Sequence, residues 1–503
     1  MLRSELPRSQ FCRVLLASLG GSLALGACTD RGGTDPTASP GPSDGGGPSD
    51  GGTSGDGEDI VGTPAPAWPQ PAAVDPSALP DLDVLTISDN TLHMHIVVPQ
   101  LGGHDTLNTA TREFAEGQEQ DFRDGLPPAP SDGGDSETPP MWISGTWQAT
   151  ALSADIAGFV LTTSYSPGAS TGQERRSLWY DTRAGRVLSP GDLFVSEHLG
   201  EIAEAVTAEL GDHIEDVDSA WVDSALDEGS ALIAFTADGD LLVGFDSHTV
   251  GPGSVGAPAV ALPDPDGAGW LTETGRTALA ATLDPAPADL PDRPEVTVRP
   301  PVDPSDGKFI ALTFDDGPSG STTPRLLDIL AEHEVPATFF VLGSQAQAFP
   351  DVLARQVAEG HEIGNHSWSH PDLSGLGAEA VREEIDRTST TIEEITGARP
   401  TLLRPPYGAT NGTVDEVSAE LGVAQILWNI DTEDWRHHDP AQTRTAMQNP
   451  ASGSIALMHD IHASTVDAVP QVIEDLKAAG FTFVTVSQLL PDPVPGERYS
   501  QAG

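Results

Sequence analysis

Ionisable side chains follow several apolar runs in the last third of the sequence. Each run is short enough to be one buried strand, and the polar residues come directly after it. These residues are Asp315, Asp316, Asn365, His366, Arg404, Asp431 and His459. Carboxylates, imidazoles and a guanidinium are the groups used in acid–base and metal-assisted hydrolysis. Packing does not explain polar groups at so many strand ends, so the pattern predicts a catalytic site.

Two histidines and one aspartate in these clusters have the character of metal ligands. His366 and His370 stand four positions apart, and on a helical turn their rings would share one side, about 6 Å apart at Cβ. Chance or capping would also explain such a pair, and Asp-Asp-Gly-Pro at 315–318 is also a plausible turn sequence. On an extended strand Asp315 and Asp316 point to opposite faces, which favours different roles. Two imidazoles with one carboxylate leave an open coordination position, as in catalytic zinc sites.

The segments that must position these side chains alternate between strand-like and helix-like patterns. Predicted strands cover 308–314, 337–342, 361–365, 401–403, 425–430, 454–458 and 482–486, and helical patterns include 378–395 and 466–479. Such alternation produces a parallel sheet, and this number of units indicates an α/β barrel. Functional residues of such barrels lie at the carboxyl ends of the strands, which is where the polar clusters fall.

Five short motifs connect these clusters to a known family. In order, they are Thr313-Phe314-Asp315-Asp316-Gly317-Pro318, His366-Ser367-Trp368-Ser369-His370, Arg404-Pro405-Pro406-Tyr407-Gly408, Asp431-Thr432-Glu433-Asp434-Trp435 and Leu457-Met458-His459. Together they make residues 305–490 resemble the polysaccharide deacetylases of the NodB-homology type, carbohydrate esterase family four. The resemblance implies a distorted (β/α) barrel that removes N-acetyl or O-acetyl groups from sugars.

The resemblance also implies roles for residues of this chain. Asp316, His366 and His370 would hold the metal, which is zinc or another divalent transition metal such as Co²⁺ or Mn²⁺. Asp315 would be the general base that accepts a proton from the attacking water. Arg404 would position Asp315 and keep it ionised at neutral pH.

Other motif residues are implied to serve the leaving group and the acetyl group. His459 would be the general acid for the leaving amine, and of the aspartates that could tune it, Asp431 is chosen over Asp434. The backbone N–H of Tyr407 would stabilise the oxyanion. The substrate pocket would be lined by Pro406, Trp435 and Leu457. A plain core role explains the tryptophan and the leucine nearly as well, because both are apolar and near strand ends.

The N-terminus has the features of an export signal. Basic residues precede an apolar run, Val14 to Ala27, which is too short to cross a bilayer. Its end, Leu25-Gly26-Ala27-Cys28, resembles the lipobox of bacterial lipoproteins, in which the cysteine becomes the lipidated first residue; an ordinary signal peptide is the alternative. Residues 29–66 are almost wholly Gly, Ser, Pro, Asp and Thr, which predicts a disordered tether. The other cysteine, Cys12, lies in the signal, so no disulfide is expected in the mature chain.

The middle of the chain, 80–283, is predicted to be a smaller α+β domain, and the Pro-rich segment 284–306 a linker to a catalytic domain over 307–491. Alternation over 91–98 predicts a strand on which His93 and His95 share a face. A metal site there lacks an acidic or thiol partner at a convincing spacing, so exposed or hydrogen-bonded strand histidines are favoured.

Part of this middle domain carries a second resemblance. Leu178–Gly185 with Gly191–Phe194, and Phe235–Gly239 with Gly256–Pro258, resemble the extracellular domain of RsiV-type anti-sigma factors, over about 140–265. The resemblance implies an envelope-facing module without catalysis that binds wall material or a partner protein.

Composition limits the partners. The chain of 503 residues has 24 Lys+Arg against 76 Asp+Glu, a net charge of −52, which excludes a nucleic-acid surface because phosphate contacts need clustered cations. A polybasic membrane patch is excluded for the same reason.

The leading hypothesis is an exported, monomeric enzyme, held to the membrane only by its N-terminal lipid and facing the cell wall, that deacetylates N-acetylated glycan of peptidoglycan (N-acetylglucosamine or N-acetylmuramic acid). Alternatives are a deacetylase or esterase of chitin oligomers or acetylated xylan, and a non-enzymatic glycan-binding lipoprotein. Asp315 and His459 argue against the last, since a binder needs neither a base nor an acid.

Overall fold

The computed structural model describes residues 68–79, 81–126, 141–167, 171–215, 217, 219–247, 249–250, 255–287, 291 and 293–502. The predicted signal peptide with Cys28 and the predicted tether over 29–66 lie outside these residues. No helix in the described part of the chain is long and apolar enough to cross a membrane.

The N-terminal domain is built on a mostly antiparallel sheet. Its described residues form six strands in sequential order: β1 (Leu82–Asp89), β2 (Met94–Leu101), β3 (Trp142–Leu152), β4 (Ile156–Ser166), β5 (Gly172–Asp181) and β6 (Arg186–Leu188). β1 and β2 form an antiparallel hairpin, and β2 pairs in parallel with β3 through residues 94–96. His93 has a left-handed backbone, with φ of 48°, and lies in the turn before β2. The sequence prediction that His93 and His95 share one strand is therefore corrected.

A second, three-stranded antiparallel sheet completes the described part of this domain: β7 (Leu232–Phe235), β8 (Leu241–Gly244) and β9 (Ala259–Leu262). Helices accompany the two sheets: α1 (Asp105–Gly125), α2 (Pro190–Leu193), α3 (Leu199–Gly211), α4 (Ser219–Asp227) and α5 (Glu273–Leu283). Trp179, Val206 and Phe235 belong to the core between them, and the Trp179 indole N–H donates to the Ile233 carbonyl at 2.8 Å.

The C-terminal domain is a curled parallel sheet. Its nine described strands are β10 (Phe309–Asp315), β11 (Thr338–Val341), β12 (Glu362–Asn365), β13 (Leu402–Leu403), β14 (Ala424–Ile426), β15 (Ile430–Asp431), β16 (Ser454–His459), β17 (Thr482–Phe483) and β18 (Arg498–Tyr499). Their order is β15-β16-β10-β11-β12-β13-β14-β18, and β17 pairs with β10. β10 lies near the centre, so Asp315 and His459 end neighbouring strands in register. The predicted α/β class with a distorted barrel is confirmed.

The residues of β10 explain its central position. Ile310, Leu312 and Phe314 face one hydrophobic cluster and Ala311 faces another. A strand covered on both faces is apolar throughout, as expected in a parallel sheet packed between helices. The helices are α6 (Thr323–Glu332), α7 (Gly343–Ala348), α8 (Pro350–Ala358), α9 (Ala378–Thr396), α10 (Gly412–Leu421), α11 (Asp434–His437), α12 (Pro440–Ala446), α13 (Ala463–Ala478) and α14 (Val486–Leu489).

The packing extends both domains beyond their predicted boundaries. Before residue 80, the Val74 N–H donates to the Ala149 carbonyl at 2.9 Å, which ties this segment to β3. After residue 491, β18 joins the catalytic sheet, and Ala502 is buried against Gly453. Residues 67–503 form one compact unit, so the two domains are packed together rather than separated by a free linker.

Candidate metal and catalytic site

The two adjacent aspartates approach the site together because the strand ends between them. Asp315 is the last residue of β10, and Asp316 adopts a left-handed backbone with φ of 74°. Extended backbone would send the two carboxylates to opposite faces. Instead, His366 Nε2 lies 3.7 Å from Asp315 Oδ2 and 3.3 Å from Asp316 Oδ1. Both carboxylates are 2% exposed, so they form one buried acidic pair.

His366 and His370 lie on a loop rather than on the helical turn that their spacing suggested. The loop follows β12, and Ser367 and His370 have φ of 68° and 64°. Side chains replace helical hydrogen bonds: Glu384 of α9 accepts the N–H groups of Trp368 at 2.8 Å and Ser369 at 2.9 Å. These contacts hold the two rings 4.9 Å apart, centroid to centroid.

The donor atoms of this loop and Asp316 fit a divalent cation. The Nε2 atoms of His366 and His370 each lie 3.3 Å from Asp316 Oδ1. His366 Nδ1 contacts the Arg404 carbonyl at 2.7 Å; it donates there in the neutral tautomer, which leaves the Nε2 lone pair for a metal. The buried Asp316 Oδ1 has no hydrogen-bond partner among the described residues. Buried donors of this kind, facing one another, are the donor set of a transition-metal site.

Arg404 is fully buried and organises the carboxylate of Asp315. Its Nη1 donates to Asp315 Oδ1 and to Thr313 Oγ1, both at 2.7 Å, and its Nε donates to the Ile426 carbonyl at 3.0 Å. Burial raises the pKa of Asp315, and the charges of Arg404 and His366 oppose that rise. Arg404 thus opposes the rise caused by desolvation and favours the ionised carboxylate, and its role in keeping Asp315 ionised stays a prediction.

His459 is paired with Asp434, not with Asp431. Its Nδ1 lies 2.8 Å from Asp434 Oδ1, and its backbone N–H donates to Asp434 Oδ2 at 2.8 Å. Asp434 is fully buried and also accepts the Thr465 hydroxyl at 2.6 Å. Asp431 is exposed. Burial lowers the pKa of His459, but the charge and hydrogen bond of Asp434, together with the charges of Asp316 and Asp315, raise it to about 10. The choice of Asp431 is corrected because Asp434 starts α11, which places its carboxylate under β16.

Asp315, His366, His370 and His459 border a common cavity of about 310 Å³. Its lining residues are Asn90, Thr91, Asp315, His366, His370, Tyr407, Trp428, Asp431, Glu433, Trp435, Arg436, Leu457 and His459. Tyr407 has a left-handed backbone with φ of 60°. Trp435 is partly exposed and Leu457 is buried, whereas Pro406 is buried and is not in the described lining. Trp435 and Leu457, which were predicted to line the substrate pocket, therefore line the same cavity as Asp315 and His459, whereas Pro406 does not.

Two histidines of the N-terminal domain, for which exposed or hydrogen-bonded positions on a strand were favoured over a metal site, lie beside the candidate site. His93 Nδ1 lies 2.8 Å from Asp372 Oδ2, and its ring stacks on Tyr407 with centroids 4.4 Å apart. His95 is 1% exposed; it, Asp316 and His370 each offer a ligand atom within 4.8 Å of one another. Burial lowers the pKa of His95 to about 4, which keeps the imidazole neutral. The spacing of the pair was the available signal, but its acidic partners belong to the other domain.

Asp460, directly after the fifth motif, was missed by the sequence analysis. It is fully buried, accepts the Thr323 hydroxyl at 2.5 Å, and lies against Gly317, where a Cβ would be 2.3 Å from its Oδ2. Burial raises its pKa to about 7. Its position beside His459 was the only sequence signal.

The histidines next to the fourth and fifth motifs have structural contacts. His437 Nε2 lies 2.9 Å from the Thr432 carbonyl, and the His438 ring packs edge-on against His462 with centroids 4.8 Å apart. Burial lowers the pKa of His462 to about 4. The three side chains border the His459 region without joining the metal donors.

Residues 303–426 match the family model described as polysaccharide deacetylase. The chain is 42% identical over 194 residues to peptidoglycan-N-acetylglucosamine deacetylase PgdA of Listeria monocytogenes, covering 38% of this chain and 41% of that protein. It is 45% identical over 189 residues to peptidoglycan-N-acetylmuramic acid deacetylase PdaC of Bacillus subtilis, covering 37% and 40%.

A third relative is matched over more of its length. The chain is 37% identical over 185 residues to peptidoglycan-N-acetylglucosamine deacetylase of Bacillus cereus, covering 36% of this chain and 67% of that protein. The match spans about two fifths of the length of the first two relatives. With the motif residues gathered around one cavity and two thirds of the Bacillus cereus protein matched, the chain belongs to the polysaccharide deacetylase family.

Proposed function

We propose that this protein is a metal-dependent hydrolase that removes N-acetyl groups from cell-wall glycan, with peptidoglycan as its substrate. The observation that carries this proposal is the pairing of two opposite acid–base groups across one cavity. Asp315 is held by Arg404 and His459 is held by Asp434, and both line the cavity that also contains His366 and His370. The three relatives described above are named peptidoglycan deacetylases, which supports this substrate.

Asp316, His366 and His370 would hold the metal, for which zinc is the first candidate and Co²⁺ or Mn²⁺ the alternatives. When bound, such an ion polarises the acetyl carbonyl and lowers the pKa of the attacking water. The chain contributes the orientation of the donors: the Arg404 carbonyl fixes the His366 ring, and Glu384 fixes the loop that carries both histidines.

Asp315 would take the proton from the attacking water. Its carboxylate is oriented by the 2.7 Å hydrogen bond from Arg404. Because burial raises the pKa of Asp315, its carboxylate is a stronger base than an exposed aspartate. Proton transfer is most effective when the pKa of the base approaches the working pH.

His459 would give a proton to the leaving amine, which departs poorly as an anion. The Asp434 carboxylate, together with the charges of Asp316 and Asp315, raises the pKa of His459 to about 10 despite burial, so the imidazole enters the reaction protonated at neutral pH. The hydrogen bond from Nδ1 to Asp434 leaves Nε2 as the atom that faces the cavity and delivers the proton.

The remaining lining residues would hold the acetyl group. The left-handed backbone at Tyr407 supports a role for its N–H in stabilising the oxyanion, because strained backbone is retained where it serves a site. Leu457 and Trp435 offer apolar surface for the acetyl methyl. Pro406 would shape the turn that carries Tyr407 rather than contact the substrate.

Acetate release by the full chain tests the proposal. With Zn²⁺, we expect release from peptidoglycan, and the same measurement on chitin oligomers and acetylated xylan separates the alternative substrates. If none of the three substrates releases acetate, the proposed enzymatic activity is wrong and the glycan-binding alternative is favoured.

Substitution of the base tests the division of roles. Asp315→Asn should abolish acetate release while Zn²⁺ binding persists, and Asp351→Asn, at an exposed position on α8, should change neither. Loss of Zn²⁺ binding in Asp315→Asn would mean that Asp315 and Asp316 have exchanged roles.

We further propose that the chain is exported and held to the membrane through a lipid on Cys28, facing the wall. Replacing Cys28 with Ser should move the protein from the membrane fraction to the soluble fraction. An unchanged distribution would contradict the anchor. The RsiV-like character of the N-terminal domain supports an envelope location.

A further inference from the structure

The N-terminal domain places an unexplained imidazole beside the candidate metal donors. His95 of β2 is 1% exposed, and neither of its ring nitrogens has a hydrogen-bond partner among the described residues. An unpartnered polar group at this depth destabilises the fold, because its lost hydrogen bonds to water are not replaced. At His95 both ring nitrogens lack a partner, and Asp316 Oδ1 beside the ring lacks one too, which points to a ligand that these groups would share.

The position of the ring identifies that ligand. His95 Nδ1 lies 3.9 Å from Asp316 Oδ2, and its ring centroid lies 4.3 Å from that of His370. Potential ligand atoms of His95, Asp316 and His370 all lie within 4.8 Å of one another. No hydrogen bond explains these distances, whereas a shared cation would satisfy all three side chains.

The hairpin that carries His95 is fixed over the catalytic domain by contacts on several loops. His93 in the β1–β2 turn contacts Asp372 at 2.8 Å and stacks on Tyr407. The Ser144 hydroxyl of β3 donates to the Ser369 carbonyl, inside the loop that carries the metal donors. Asn90 and Thr91 form part of the cavity wall. His95 is therefore held at the site by its own domain.

We propose that His95 is a fourth protein ligand of the metal, supplied by the N-terminal domain, and that it fills the coordination position that a deacetylase needs for water and substrate. Catalytic zinc sites have three protein ligands and one open position, whereas four protein ligands make a closed site. The arrangement in this chain is a closed, self-inhibited form, and the acetate release expected of the full chain would come from the fraction of molecules in which His95 has left the metal. Withdrawal of the β1–β2 hairpin would open the position and uncover the cavity to a polymer.

This inference rests on the proposed metal site, and metal affinity tests it without relying on activity. The Zn²⁺ Kd of the full chain is measured by competition with a chromophoric chelator. We expect His95→Ala to weaken Zn²⁺ binding by about ten-fold or more, since even residues that only orient a ligand change metal affinity by about 10–100-fold. His95→Gln, which keeps much of the side-chain volume, should show the same loss and guards against a folding defect.

Two control variants separate a ligand from a packing contact. His198→Ala changes a histidine of the same domain that contacts Glu201 at the surface, and should leave the Kd unchanged. His93→Ala removes a contact between the hairpin and the catalytic domain but no proposed metal ligand. It should therefore weaken Zn²⁺ binding less than His95→Ala does. Equal losses in His93→Ala and His95→Ala would overturn the assignment of a ligand, as would an unchanged Kd in His95→Ala and His95→Gln.

Turnover with saturating Zn²⁺ tests self-inhibition. With soluble N-acetylated chitin oligomers, kcat/KM of His95→Ala should rise above that of the unmodified chain although its metal affinity falls. A fall in kcat/KM would overturn the inhibitory role. If the unmodified chain binds no Zn²⁺, the proposed metal site itself fails; if it binds Zn²⁺ and His95→Ala binds equally well, only the present inference fails.

Discussion

Several non-glycine residues of the candidate site adopt a left-handed backbone. Among them are Asp316, Ser367, His370 and Tyr407, with φ between 60° and 74°. Each such residue costs of order 1–3 kcal/mol and persists only where the surrounding structure enforces it. At Asp316 the gain is visible, because the turn brings its carboxylate to the same side as that of Asp315. Backbone strain at single residues is how this site gathers donors that regular strands would separate.

The pairing of Asp434 with His459 predicts a change in pH dependence. Asp434→Asn removes the charge that raises the pKa of His459, and the burial that remains favours the neutral ring. A general acid loses activity as the pH rises through its pKa, so the alkaline limb of kcat should move to lower pH. A charged hydrogen bond is worth about 1.5–3 kcal/mol, which corresponds to a shift of about 1–2 pH units.

The matched control for this prediction is Asp431→Asn. Asp431 is exposed and accepts the Glu433 N–H at 2.8 Å, so this variant should keep the alkaline limb in place. Profiles of kcat against pH for the two variants check the assignment. An alkaline limb that moves in Asp431→Asn but not in Asp434→Asn would restore the original choice of Asp431.

At the scale of elements, the loop after β12 depends on helix α9. Glu384 accepts the Trp368 and Ser369 N–H groups and the Ser369 hydroxyl, the last at 2.8 Å. Arg387, from the same helix, lies over the Trp368 ring at 3.5 Å from its centroid, in cation–π geometry. The helix thus supplies the hydrogen bonds that an irregular loop lacks, and keeps His366 and His370 in place.

Removing the Glu384 carboxylate should therefore loosen the metal site. We expect Glu384→Ala to raise the Zn²⁺ Kd by about 10–100-fold, the range for groups that orient metal ligands. Glu383→Ala, one position earlier and exposed, should leave the Kd unchanged. Titration of both variants with Zn²⁺ checks this, and equal affinities would show that the loop is held by other contacts.

At the scale of the whole molecule, the candidate metal site lies where two domains meet. Residues 67–503 form one compact unit, and His95 and His93 reach the catalytic domain from the N-terminal sheet. The net charge of −52 bears little on the reaction, since only a few carboxylates, chiefly Asp315, Asp316 and Asp434, lie at the centre of the site.

A metal bound at this junction should stabilise the whole folded unit. Ligand present at 100 times its Kd adds about 2.7 kcal/mol, and the unfolding entropy near Tm is about 2.1 cal/mol/K per residue, or about 0.9 kcal/mol/K for a unit of this length. We expect chelation with EDTA to lower the Tm of the Zn²⁺-loaded chain by about 3 °C. Differential scanning calorimetry measures this, with His366→Ala as the control whose Tm should not respond. Identical Tm values with and without EDTA in the unmodified chain would contradict a bound metal.

The sequence by itself determined the fold class of the catalytic domain and most of the site. Motif residues such as Asp315, His366 and Arg404 lie at the ends of strands whose apolar character is local, so strand ends and their polar groups could be assigned without knowing the packing. The same local pattern located β10 and β16 to within one residue.

The pairing of the aspartates and histidines of the site depends on tertiary packing. Asp431 and Asp434 both belong to the fourth motif, so either could have paired with His459. Asp434 makes the contact because it is the first residue of α11, which begins beneath β16. His93 and His95 lacked partners in their own domain, because Asp372 and Asp316 reach them across the junction. These contacts join segments that are far apart in the sequence, so they depend on how the two domains pack. The residues next to each histidine in the sequence do not indicate which distant residues will contact it.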